Sequence, residues 1–226
     1  MKLLICTQTI DKEDSNLGFF HRWVEEFAKY CEQVMVICLR EGAHALPDNV
    51  SVYSLGKEKG PASKLHYALR FWKLIYAKRN EYDAVFVHMN PEYVLLGGVL
   101  WRLWNKRVVL WYVHRSVTLR LRIAVVFVGI VLTASHESFR LRTSKVLVVG
   151  HGIDTELFKP DIRESSIETR IITAGRISPS KHIVEMLHVL DVLHARGKKF
   201  RFTILGHTAT PADVRYERML REEIRK

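Results

Sequence analysis

The sequence predicts an α/β protein: a parallel sheet covered on both faces by helices, followed by the first part of a second unit of the same kind. Short apolar strands alternate with segments of helical periodicity, which is the pattern of β-α-β winding. The strands are near-continuous hydrophobic runs instead of alternating ones, as expected when helices cover both faces of a sheet. Near residue 160 the series breaks at a polar, acidic stretch and then restarts.

The first strand is Lys2–Thr7, and from Phe20 the apolar residues Phe20, Trp23, Val24, Phe27 and Cys31 recur at helical spacing. Strands Gln33–Leu39 and Val50–Leu55 follow, then helix Lys64–Arg79, strand Ala84–Val87, helix Tyr93–Trp104 and strand Arg107–Tyr112. Val126–Thr133 and Lys145–Val149 supply two further strands. Pro160–Thr169, with Asp161, Glu164 and Glu168 around two serines, reads as a linker, so domains 1–160 and 161–226 are expected. The second series gives strand Arg170–Ala174 and a helix over Pro179–Arg196 with Ile183, Met186, Leu187, Leu190 and Leu193 inward. Strand Phe200–Leu205 and a helix from about Ala212 complete it.

At 226 residues and 48% hydrophobic content, the chain has material for a sizeable core. Its longest apolar run, Ile123–Leu132, falls short of the roughly 20 residues that span a bilayer, and a cytoplasmic protein is expected. Cys6, Cys31 and Cys38 lie scattered in apolar stretches without C-x-x-C spacing, and reduced, buried thiols are expected. The 11 histidines are dispersed and no H-E-x-x-H is present, so no metal site is expected. Between Trp101 and Lys145 nine Lys or Arg face a single acid, Glu137, in a chain of net charge +11. Interleaved with Trp101, Trp104, Trp111 and Tyr112, this segment suits an anionic membrane surface, at about 1 kcal/mol per basic residue; a solvated basic face is the alternative. No helix-turn-helix, zinc-finger or RRM signature accompanies the charge, which argues against nucleic acid. A nicotinamide dehydrogenase is disfavoured because no G-x-G-x-x-G follows the first strand.

Two linked motifs carry the chemistry. In Gly175-Arg-Ile-Ser-Pro-Ser-Lys181, a glycine frees the backbone to turn at a strand end, and Ser178-Pro179 reads as an N-cap and first helical position. Lys181 is then expected in the first helical turn, where positive charge is unfavourable unless an anion shares the site; diphosphate is the obvious anion. Upstream stands His151-Gly-Ile-Asp-Thr-Glu-Leu-Phe-Lys-Pro160.

These residues resemble glycosyltransferase family 4, retaining nucleotide-sugar-dependent enzymes of the GT-B fold, in which two Rossmann-like domains face one another. His151–Pro160 is similar to the family's Asn-Gly-Val-Asp-x-x-x-Phe-x-Pro crossing between domains, and Gly175-Arg176 with Lys181 to its Gly-Arg-(x)-Lys-Gly diphosphate clamp. The resemblance implies an acceptor-side N-terminal domain and the first part of a donor-binding one. Gly175, Arg176 and Lys181 would bind the donor diphosphate without metal or cofactor. Gly18 would sit in the family's glycine loop. His114, in Val-His-Arg where the family has Val-His-Asp, would contact the transferred sugar as the catalytic residue, and Ser135 with Glu137 would open a helix with the serine as N-cap. His151 and His182 depart from the family's Asn and Gly, and its Glu-x7-Glu region would lie beyond Lys226, implying a C-terminal domain cut short, in a piece of a longer enzyme or a naturally short relative.

The function implied is transfer of a sugar from a nucleoside-diphosphate sugar to a glycan, cell-envelope or lipid-linked acceptor, at the inner face of the cell membrane. The competing reading is a non-catalytic membrane- or glycan-binding module derived from such an enzyme.

Overall fold

The computed structural model describes residues 1–159 and 169–225. The chain separates into two compact units, Met1–Ile153 and Asp154–Lys226; most of the stretch expected as a linker, 160–168, lies outside the described residues.

In the first unit the elements run β1 (Lys2–Ile10), α1 (Gly18–Tyr30), β2 (Gln33–Glu41), β3 (Val50–Ser54), α2 (Lys64–Ala77), β4 (Ala84–His88), α3 (Pro91–Leu103), β5 (Arg107–Trp111), α4 (Leu119–Phe127), β6 (Ile130–Thr133) and β7 (Val146–Val148). The strands form one sheet in the order β3-β2-β1-β4-β5-β6-β7. Every neighbouring pair is parallel. Strand order reverses between β1 and β4, and in doubly wound sheets the crevice beyond the carboxyl ends at such a switch point is where ligands bind.

The period-2 pleat sorts the core. Leu4 and Cys6 of β1 pack with Phe71, Trp101 and Leu121 of α2, α3 and α4, and with Tyr82 just before β4. Their neighbours Leu3 and Ile5 pack on the opposite face with Phe20, Val24 and Ala28 of α1. Helices cover both faces, which is why the strands read as unbroken apolar runs. Cys6, Cys31 and Cys38 are buried free thiols; burial pushes the Cys38 thiol up to about 12.

One expected strand is corrected. Val126 and Phe127 end α4 instead of opening the strand over Val126–Thr133, which begins at Ile130. Thr118 caps α4 by accepting from the Leu121 amide at 3.2 Å, and Lys145 Nζ closes its other end on the carbonyls of Val125, Val126 and Val128 at 2.7, 3.3 and 2.8 Å. The apolar run Ile123–Leu132 therefore serves a helix and then a strand, and composition alone does not mark the switch.

The second unit carries β8 (Thr169–Ala174), α5 (Ile183–Ala195), β9 (Phe200–Leu205) and α6 (Pro211–Glu223), with β8 and β9 parallel. Ile177, Ile183 and Leu220 form its buried centre, joined by Leu187, Ile204 and Tyr216. Met186, expected inward, is exposed, as are Val189 and Val192. The helix expected over Pro179–Arg196 is interrupted: Pro179–Lys181 form a 3-10 turn, His182 is left-handed at φ 53°, and α5 starts at Ile183.

Candidate functional site

Both units present their sequence-predicted residues at the carboxyl ends of strands. In the second, Gly175 follows β8 directly, its φ of 144° lying where L side chains are strained, and its amide donates to the Leu205 carbonyl at 2.9 Å. The Ile177 amide donates to the His207 carbonyl at 3.0 Å, so the loop is tied to the end of β9 at two points. Arg176 and Lys181 are exposed. A Cβ at Gly175 would stand 3.4 Å from Lys181 Cε and 3.7 Å from its Nζ, so the lysine lies folded along the glycine. The structure thus brings Gly175 and Lys181 together.

Lys181 is not in the first turn of α5, and Ser178 does not cap that helix; its hydroxyl lies 3.0 Å from that of Ser180. The cap position is His182, whose Nδ1 lies 3.1 Å from Glu185 Oε1 and holds that carboxyl below its ordinary range. Beside Arg176 stands Asp213 at the start of α6. Burial pushes its carboxyl up, but the Thr210 hydroxyl, the amides of Ala209 and Thr210 and the Arg176 charge outweigh this and hold it low.

In the first unit, Gly18 opens α1, and a Cβ there would come 2.9 Å from the Lys12 carbonyl oxygen, so the close approach of the chain itself requires glycine. The amides around it are engaged internally. Those of Asn16 and Leu17 donate to Asp14 Oδ1 at 2.9 and 2.8 Å, and that of Gly18 donates to the Asp14 carbonyl. The Leu17 and Asn16 amides hold the Asp14 carboxyl below its ordinary range, and Arg40 approaches its other oxygen at 3.1 Å.

His114 stands exposed in the loop after β5. The Ser116 amide donates to its Nδ1 at 3.0 Å, so a neutral ring carries its proton on Nε2 and presents a donor there. Ser135 accepts from the Ser138 amide at 3.3 Å, but caps a 3-10 turn over His136–Ser138 instead of the α-helix expected. Asp154 Oδ1 accepts from the amides of Glu156 and Leu157 at 3.1 Å each, giving the aspartate of the crossing motif a turn-forming role. Pro160, the last residue of that motif, lies outside the described residues.

What the sequence did not single out is the polar filling of the switch point. His88, 2% exposed at the end of β4, has its Nδ1 3.2 Å from Thr7 Oγ1 and its ring stacked on Phe20 at 4.0 Å. Burial pushes its pKa down to about 4. Asn90 donates to Gln8 Oε1 at 3.1 Å, and Tyr93 donates to the Thr7 carbonyl at 2.8 Å. Next to them a cavity of about 720 Å³ opens between α2 and α3. The Asn90-Pro91 start of α3 after an apolar strand is the signal that marks this edge in the sequence.

No group of three or more His, Cys, Asp or Glu gathers as metal ligands among the described residues. Among them, no helix is long and apolar enough to cross a membrane.

Residues 13–120 match the family model described as Glycosyl transferase 4-like. No curated protein matches the chain. Among solved structures, Anabaena Alr3699/HepE in complex with UDP is similar with a TM-score of 0.69 at 17% identity, over 100% of this chain and 66% of that one. The lipopolysaccharide outer core galactosyltransferase WaaB gives 0.55 at 11% identity, over 100% and 66%. The UDP-GlcNAc 2-epimerase from Methanocaldococcus jannaschii gives 0.52 at 12%, over 98% and 69%. The chain thus spans about two thirds of the length of these structures. At such identities the likeness establishes the fold: the seven-stranded sheet of Met1–Ile153 is the Rossmann-like sheet of a GT-B N-terminal domain.

Proposed function

We propose that the protein is a retaining glycosyltransferase of family 4 type. It moves a sugar from a nucleoside diphosphate to a glycan or lipid-linked acceptor of the cell envelope. Residues 1–160 serve the acceptor and 161–226 the donor. The single observation that carries this reading is Lys181 laid along Gly175, whose φ of 144° suits only glycine, with Arg176 next in the loop. In the reaction the bond between the sugar's anomeric carbon and the diphosphate oxygen breaks, and a bond to an acceptor hydroxyl forms as that hydroxyl loses its proton. Arg176 and Lys181 offset the charge left on the departing diphosphate, which is the electrostatic task such a site must perform without metal. His114, with Nε2–H as donor, is the group for a sugar hydroxyl, and Gly18 gives α1 its close approach to the loop before it. The UDP in the HepE structure and the family model over residues 13–120 support the donor class. The basic segment Trp101–Lys145 supports placement at the inner, anionic face of the cell membrane.

Calorimetric titration of the chain with UDP and GDP at low salt tests the reading. One diphosphate is expected to bind, and Arg176→Ala and Lys181→Ala are each expected to weaken it by roughly 1–3 kcal/mol, the scale of charge-assisted hydrogen bonds. Affinity unchanged in both variants would remove the diphosphate assignment.

A further inference from the structure

The cavity between α2 and α3 has a composition unlike a sugar site. Its walls are Leu39, Leu55, Leu65, Tyr67, Tyr93 and Leu96. Several polar groups in its lining are engaged within the protein. The Tyr67 hydroxyl lies 3.4 Å from the Gly60 carbonyl, that of Tyr93 donates to Thr7, and Asn90 and Gln8 bond one another. A sugar pressed against the leucine walls would lose water from its hydroxyls with few hydrogen bonds in return, whereas a hydrocarbon chain loses nothing of the kind. The volume, about 720 Å³, lies within the roughly 300–1,000 Å³ of pockets that enclose small ligands.

Two further features say what enters. At the mouth stand Lys64, Arg120 and Glu92, the last two paired at 2.8 Å, which leaves the rim net positive. From the same mouth an apolar stripe runs outward along α2: Leu65, Leu69, Trp72 and Tyr76, spaced for one helix face, are 64%, 55%, 38% and 58% exposed. We infer that this cavity binds the hydrocarbon tail of a lipid-linked acceptor whose anionic head is held at Lys64, the α2 stripe guiding the chain in. This deepens the proposed function by naming the acceptor class, and it rests on that reading for the sugar transfer but not for the binding itself.

The test uses the whole chain, N-phenyl-1-naphthylamine as fluorescent reporter of the cavity, and dodecyl phosphate as competitor. The reporter is expected to brighten with the wild-type protein and to be displaced by dodecyl phosphate. Lys64→Ala is expected to weaken dodecyl phosphate roughly tenfold, the loss of one charge-assisted contact, while leaving dodecyl maltoside unchanged. Ala68→Trp, which fills the cavity from α2, and Leu96→Trp, which fills it from α3, should each abolish the brightening, with circular dichroism confirming folding. Tyr30→Glu, 84% exposed at the end of α1 and away from the cavity, should leave it intact. Brightening that survives both filled variants, or that is lost in Tyr30→Glu alone, would mean adsorption to the surface and overturn the inference. UDP titration of the same variants separates this outcome from failure of the nucleotide site, which lies in the other unit.

Discussion

His88 makes the stability of the first unit depend on pH in a direction and amount that follow from its surroundings. The ring is 2% exposed, stacked on Phe20, and edged by Trp23 at 6.0 Å and Phe19 at 6.1 Å, so the charged form is desolvated. Its pKa falls from an ordinary 6.5 to about 4. Between those values the unfolded chain binds a proton that the folded chain refuses, so acidification favours unfolding. The loss is negligible at pH 7, grows below pH 6.5 and levels off below pH 4. From a folded value near 4, His88 alone should remove about 2 kcal/mol of stability between pH 7 and pH 5. His21, also held down by burial, adds to the same trend and must be separated from it.

The comparison that isolates His88 is His88→Gln, which stays neutral across this range and retains a group able to bond Thr7. Urea unfolding followed by tryptophan fluorescence reads the right unit, because all five tryptophans lie between Trp23 and Trp111. The wild type should lose about 2 kcal/mol more than the variant on going from pH 7 to pH 5. Parallel losses in the two proteins would show that His88 titrates normally and that its burial does not penalise the charge.

Three further outcomes are expected. Gly175→Ala forces a side chain into a backbone conformation costing about 1–3 kcal/mol, which would shift the loop, so UDP affinity should drop while the thermal stability of the first unit should not move. His182→Val places a β-branched residue at φ 53° and should speed amide hydrogen exchange along α5 by the equivalent of about 1–2 kcal/mol, whereas His182→Gly should not. Lys145→Met strips three carbonyls at the end of α4 of their donor; a loss of about 1–3 kcal/mol in urea unfolding is expected.

Much of this architecture is legible in the sequence because it depends on local patterns. Strands with β-branched, unbroken apolar runs and helices with a 3.6-residue period are written in neighbouring residues, and the parallel sheet follows from their alternation. Where the pattern is ambiguous, as in the ten apolar residues from Ile123 to Leu132, the boundary is decided by Thr118 at one end and by Lys145 at the other. Lys145 lies 17 to 20 residues from the carbonyls it closes and leaves no local trace. The same holds for the switch point. Thr7 and His88 are 81 residues apart, and only the folding of β1 beside β4 makes them partners. At Gly18 the sequence offers a glycine before a helix, but not the Asp14 carboxylate that occupies the neighbouring amides.

The loop after β8 shows how a departure from helical regularity serves charge placement. A helix running unbroken from Pro179 would set Lys181 in its first turn, where exposed amides and the positive end of the dipole repel an ammonium. The left-handed His182 ends the 3-10 turn and starts α5 one residue later, leaving Lys181 outside the helix and free to lie along Gly175. The strain of a non-glycine residue at φ 53° is shared with the contact between His182 and Glu185. Asp213 answers one of the two nearby cations, Arg176, but its Oδ2 is already engaged by the amides of Ala209 and Thr210. The loop therefore keeps positive charge in excess beside a glycine that admits close approach, which is the electrostatic basis of the diphosphate site proposed there.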